Sequence, residues 1–213
     1  MKRYILWDHD GVLVDTEPLY YEATRRTIAG LGVDLPHHVY LRDMARGRTA
    51  WEHARARGVS EPEIVRHRQA RDRLYQQLLL EREIGIPGVE ALLGRLADDY
   101  AMAIVTTARR ADFELIHREG DIVTHMDFVL ANGDYARSKP APDPYLAALE
   151  RFGAAPDQAL VVEDSERGLR SALAAGIDCV VVDNDFVAGQ DFTGARARIE
   201  SLDALPELLG TLA

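Results

Sequence analysis

Two aspartates two positions apart, Asp8 and Asp10, close a short apolar run in the string LWDHDGVLVD and are followed at once by Gly11. Carboxylates repel one another, and their charge is costly beside apolar surface. In an extended strand end, side chains two apart point the same way, so Asp8 and Asp10 are expected to face one pocket while His9 points away from them. One carboxylate can then serve as nucleophile and the other as general acid/base. A proton donor needs a raised pKa, and a second carboxylate nearby pushes in that direction. Gly11 lets the backbone turn sharply and approach a ligand closely.

Other reactive groups end other apolar runs. Thr106 and Thr107 follow AMAIV, and Glu163, Asp164 and Ser165 follow ALVV. Lys139 lies in SKPAPDP, a loop stiffened by Pro140 and Pro142. Carboxylates gathered from distant parts of a chain need a cation to offset their repulsion, and oxygen ligands of this kind suit Mg²⁺. Hydroxyl, amide and ammonium donors suit a phosphate.

These groups need a scaffold. Apolar runs at 4–7, 101–106, 128–131, 159–163 and 179–183 are short and nearly continuous, the pattern of strands buried on both faces of a parallel sheet. Helical patterns over 88–98, 109–119, 142–152 and 166–175 alternate with them. The expected fold is therefore α/β, a doubly wound parallel sheet of Rossmann-like type. Such sheets bind ligands beyond the carboxyl ends of their strands, where the candidate groups fall. About 90 residues separate the first run from the second, far more than a crossover needs. Residues 17–31 are amphipathic, 61–83 are strongly helical, and Pro36 and Gly58 break the stretch between. We read 16–84 as an inserted helical-bundle domain, with 1–15 and 85–213 forming the α/β core.

Bulk properties narrow the function classes. The chain has 213 residues, 47% apolar and 28% charged, with a formal net charge of −10. That balance argues against nucleic acid or an anionic membrane as partner and leaves a local basic pocket for a small anion possible. The lone Cys179, in the run CVVVD, reads as a buried core residue in a reducing compartment. No stretch approaches the ~20 apolar residues of a membrane span. The opening MKRYILW breaks at Asp8 and is not read as a signal peptide. A cytoplasmic location and a monomer or weak homodimer are expected.

DHDGVLVDTE, IVTTA, SKPAPDPY and VVEDSERGLRSALAAG, in that order, resemble the haloacid dehalogenase superfamily, and they span nearly the whole chain. The place of the helical insert resembles the subgroup that contains β-phosphoglucomutase and phosphoglycolate phosphatases, whose insert is a cap. The resemblance implies a Mg²⁺-dependent phosphatase acting on a small phosphorylated metabolite such as a sugar phosphate. It makes Asp8 the nucleophile, forming an aspartyl-phosphate, and a metal ligand. Asp10 would protonate the leaving alkoxide and then activate water, with its backbone carbonyl on the metal. Thr106 would hydrogen-bond the phosphoryl group, helped by backbone N–H groups at Thr107 and Ala108. Lys139 would neutralise charge on Asp8 and the phosphate. Asp164 would ligate the metal, and Glu163 would do so directly or through water. An aspartate at position 10 favours phosphate-ester chemistry over dehalogenation or phosphonate cleavage.

Other residues have structural readings beside the functional ones. Asp15 and Thr16 read as caps of the first inserted helix, with Pro18 in its first turn. Ser165 reads as an N-cap. Thr107 is either a second phosphate donor or a helix cap. Gly47 and Arg48, in MARGRTAWE, match a Gly-Arg pair that relatives carry in a substrate-facing cap loop; Arg48 is equally readable as a surface arginine. Arg109 and Arg110 either contact substrate or open the next helix. Arg66, His67, Arg68, Arg71 and Arg73 read as a solvated helix face. Tyr20 and Tyr21 stand where many capped relatives carry a histidine, which weakens a mutase reading. A phosphomutase is the alternative to hydrolysis, and a catalytically retired binding protein the further one.

Overall fold

The computed structural model describes residues 1–187 and 189–212. Its chain divides into two compact units, Met1–Asp15 with Gly85–Ala213, and Thr16–Ile84.

In the first unit, β1 (Tyr4–Trp7) leads to the excursion through the second unit. The chain returns through α5 (Val89–Leu96), β2 (Ala101–Arg109), α6 (Arg110–Ile116), β3 (Phe128–Asn132), α7 (Asp143–Phe152), β4 (Ala159–Glu163), α8 (Glu166–Ala174), β5 (Asp178–Val182), β6 (Ala197–Ile199) and α9 (Leu205–Thr211). The strands form one sheet in the order β3-β2-β1-β4-β5-β6, with every pairing parallel. This is the doubly wound order, whose switch point lies between β1 and β4.

Strand alternation divides the buried side chains between the two faces. Leu6, Val105, Leu130, Val161 and Val181 pack with Tyr145, Ala148 and Leu149 of α7 and with Leu169 and Ala172 of α8. Ile5, Trp7, Ile104, Leu160 and Val180, one position out of phase, are buried without exposure as well. Central strands buried on both faces must be apolar throughout, which is why these segments lack polar residues until their carboxyl ends. Cys179 is part of this core, and burial pushes its thiol pKa up, so it is no nucleophile.

The strand over 101–106 is longer than its apolar pattern. β2 runs on through Arg109, with a register irregularity between Val105 and Arg109. Thr107 therefore lies within a strand, and α6 starts only at Arg110, which removes the helix-cap reading of Thr107. The β6 strand is absent from the sequence reading, because three residues with Arg198 at the centre carry no apolar run.

The second unit is all helical: α1 (Glu17–Ala29), α2 (His37–Ala45), α3 (Trp51–Ala56) and α4 (Glu61–Glu81), with α1 packed on α4. Pro36 is the N-cap of α2, and Pro18 lies in the first turn of α1. Thr16 occupies the N-cap position of α1, but its side chain makes no capping hydrogen bond. Asp15 is exposed. The basic stretch of α4 is not uniformly solvated. Arg71 lies 4.3 Å over the Tyr20 ring and donates to Asp72 and Thr24, and Arg68 lies 5.7 Å from the Trp51 ring. Stacking on aromatic faces draws these guanidinium groups inward.

Candidate active site

The polar groups gather at the carboxyl ends of β1, β2 and β4, and Lys139 joins them from the loop after β3. Its ammonium is buried and donates to Asp8 Oδ1 at 2.7 Å, to Glu163 Oε1 at 2.7 Å and to the Val105 carbonyl at 2.8 Å. Three partners use all three ammonium protons. The Tyr145 ring lies 4.9 Å from Nζ, and the Tyr145 hydroxyl donates to Glu163 Oε1 at 2.7 Å. The other Glu163 oxygen accepts from the backbone of Asp164 and from the Ser165 hydroxyl. Ser165 also accepts from the Gly168 amide, so it caps α8.

Charge follows this geometry. Burial opposes ionisation of Glu163, but Lys139 holds its carboxyl below the usual value. Burial would discharge Lys139, yet Asp8 and Glu163 together raise its pKa. Asp8 is pushed up to about 6, by burial first and by the charge of Glu163 second, against the pull of Lys139. One ammonium thus shares two buried carboxylates, and a third is close. Asp8, Glu163 and Asp164 each bring a carboxylate oxygen within 4.8 Å of the others. Hard oxygen donors with surplus negative charge fit a small divalent cation such as Mg²⁺.

Two glycines make this convergence possible. Gly11 adopts φ +79°, and a Cβ there would fall 2.1 Å from Asp164 Oδ2. A Cβ at Gly168 would fall 1.8 Å from Glu163 Oε1. Asn184, beyond β5, donates to Asp164 Oδ2 at 2.9 Å, and its own Oδ1 accepts the Phe186 amide.

Asp10 lies on a different flank. Its Oδ2 accepts from Thr106 Oγ1 at 3.4 Å and lies 3.2 Å from His9 Nδ1. His9 was expected to point away from both aspartates; its ring is buried against α6, yet Nδ1 turns back to Asp10. The physical reason is that β1 ends at Trp7, so the two-residue alternation does not extend through Asp8–Asp10. The Ala108 amide donates to Thr106 Oγ1 at 3.0 Å. Tyr135 donates to the Thr106 carbonyl at 2.7 Å. Arg109 forms a two-pronged pair with Asp112, and Arg110 pairs with Asp134, so both exposed arginines already hold carboxylates of the α/β unit. In the inserted unit, Gly47 has φ +65° and Arg48 is exposed, its amide bonded to the Asp43 carbonyl.

No motif or spacing in the sequence assigns a function to Tyr145, Asn184, Tyr135 or His117. Tyr145 stands in the quoted SKPAPDPY string, the one available signal; the others are loop or helix residues without a motif.

Residues 5–182 match the family described as haloacid dehalogenase-like hydrolase. The chain belongs to that family. It is 32% identical over 226 residues to protein CbbY of Rhodobacter capsulatus, covering 97% of this chain and 98% of that protein. It is 31% identical over 194 residues to a phosphorylated carbohydrates phosphatase of Thermotoga maritima, covering 82% of each. Among solved structures, a mutant CbbY from Rhodobacter sphaeroides in complex with xylulose-(1,5)bisphosphate superposes with a TM-score of 0.78 at 28% identity, over 94% of this chain and 95% of that one. No helix among the described residues is long and apolar enough to cross a membrane.

Proposed function

We propose that this haloacid dehalogenase-like hydrolase cleaves a phosphomonoester of a small metabolite, a sugar phosphate or sugar bisphosphate, by way of a phosphorylated Asp8. The observation that carries the reading is Lys139, buried between Asp8 and Glu163. It holds a carboxylate ready to attack where negative charge must gather. The names of the Thermotoga and Rhodobacter relatives support a phosphorylated carbohydrate.

Asp8 and Asp164, with the Asp10 carbonyl, would hold Mg²⁺, and Glu163, whose oxygens already accept from Lys139, Tyr145, Asp164 and Ser165, would act through water. When bound, the ion neutralises the phosphoryl oxygens and Asp8 together. The Asp8 oxygen attacks phosphorus as the bond to the substrate alkoxide breaks. Asp10 gives that alkoxide a proton and afterwards takes one from the water that attacks phosphorus, releasing inorganic phosphate and restoring Asp8. The Thr106 hydroxyl and the Thr107 amide hold the phosphoryl oxygens, and Gly11 lets the first loop come close. The inserted unit acts as cap, selecting substrate and excluding water, with Arg48 at Gly47 as its candidate contact.

A screen of sugar phosphates and bisphosphates for release of inorganic phosphate tests this. With Mg²⁺ present, at least one ester should be turned over, and Asp8→Asn should lower kcat by more than about a thousandfold. Absence of phosphate release from every ester, or an active Asp8→Asn protein, would overturn it.

A further inference from the structure

Between the nucleophile and the acid/base stands a histidine that the proposed reaction does not use. His9 is fully buried, and its ring centroid lies 5.0 Å from those of Phe113 on α6 and His117 at the end of α6. Its two ring nitrogens have separate partners. Nδ1 lies 3.2 Å from Asp10 Oδ2, and Nε2 lies 2.8 Å from His117 Nε2. The His9 backbone is equally tied, since its carbonyl accepts the amides of Val12, Leu13 and Val14.

Hydrogen-bond chemistry orders this row. A carboxylate only accepts, so His9 Nδ1–H donates to Asp10 Oδ2. Two nitrogens 2.8 Å apart must share one proton, one ring donating and the other accepting. His117 stays neutral, since burial, then His9, push its pKa down to about 4 against the pull of Asp10. Phe113, its ring tilted against that of His117 at a centroid distance of 4.5 Å, covers the apolar side.

We propose that His9 and His117 form a hydrogen-bonded strut that fixes the Asp10 carboxylate, occupying Oδ2 so that Oδ1 carries the proton exchanged with the leaving oxygen and with water. The inference rests on the phosphate-ester reading, and makes both histidines positioning residues that act through Asp10. The strut also anchors the first loop to α6, the helix that follows the Thr106 strand. Together with the direct Thr106–Asp10 hydrogen bond, this contact holds the acid/base beside the phosphoryl-holding hydroxyl.

The test uses two esters of nearly the same shape. p-Nitrophenol leaves readily without a proton, whereas phenol, with a pKa of about 10, needs one. His117→Phe keeps the ring packing and removes the hydrogen bond. It should lower kcat/KM for phenyl phosphate about tenfold and for p-nitrophenyl phosphate less than about twofold. His117→Gln, which can still donate, should recover most of the loss. Equal losses on both esters, or none, with Asp8→Asn inactive, would overturn the strut while leaving hydrolysis standing; an active Asp8→Asn would strike the hydrolytic reading itself. Should His117→Phe fail to fold, proton–nitrogen NMR of the unsubstituted protein decides. His9 should carry its proton on Nδ1, and its Nδ1 signal should shift in Asp10→Asn. A His9 ring without a proton on Nδ1 would overturn the proposal.

Discussion

Asp8 and Asp10 leave the same strand two residues apart and meet opposite surroundings. Around Asp8 the partners are ionic: the Lys139 ammonium, then Glu163 on its far side. Beside Asp10 stand the His9–His117 imidazole row and the Thr106 hydroxyl. The difference matches the two tasks. A nucleophile must stay anionic in a buried place, which takes a cation. An acid/base must gain and lose a proton, and a fixed ammonium beside it would hold it ionised. Alternation of side chains along a strand does not produce this contrast. It arises because β3–α7 supplies Lys139 to one flank and α6 supplies His117 to the other.

The largest break in the contrast should come from Lys139→Met. It leaves Glu163 and Asp8 buried without their cation, so kcat/KM should fall by at least about a hundredfold. Chemical denaturation should show a loss of about 3–5 kcal/mol, the cost of an orphaned buried charge. If stability is unchanged, the ionic flank is not a network.

A second expectation concerns pH. In the metal-free protein Asp8 titrates near 6, above its unfolded value of 3.8. A raised carboxyl favours the fold below the unfolded value and loses that contribution as pH rises through about 6, so the metal-free protein should weaken across that window. Binding Mg²⁺ displaces the Asp8 proton, so the affinity should rise about tenfold per pH unit below 6 and level off above it. Calorimetric titration at several pH values reads this directly; a flat affinity would separate Asp8 from the metal.

Tyr145→Phe should act more mildly. It removes one donor from Glu163 Oε1 and leaves Lys139 there, so a loss of about 2 kcal/mol in unfolding free energy is expected, with kcat lowered less than tenfold. Ser165→Ala should be smallest, about 1 kcal/mol from a lost helix cap with little change in rate. A larger kinetic effect from Ser165 than from Tyr145 would reverse the assigned importance of the two Glu163 oxygens.

Much of the parallel sheet was legible because buried strands admit only apolar residues until their ends. The ends then stand out: Asp8 follows β1, and Glu163 and Asp164 mark the end of β4, while Thr106 marks only the end of the apolar part of β2, which runs on through Arg109. Lys139 was legible because two prolines stiffen its loop. Other features carry no such signal. Tyr145 on α7 reads as core, and its hydroxyl becomes a partner only because β4 delivers Glu163 beside it. Asn184 reads as a polar loop residue until the sheet brings it to Asp164. His9 misled the alternation argument because the strand stops at Trp7. Arg71 looks solvated along its own helix, and the Tyr20 ring that covers it comes from another.

The inserted helical unit leaves the core after Asp15 and the chain rejoins it at Gly85, where Val14 and Gly85 form an antiparallel bridge. The α/β unit therefore closes its own seam, and the excursion behaves as a loop tied at its base. Loop closure grows only logarithmically, at about 0.6 kcal/mol per doubling of length. In evolutionary terms, this gap is a socket. Helical modules of different size and surface can be exchanged there at small thermodynamic cost while the carboxylates, Lys139 and the strand order stay as they are.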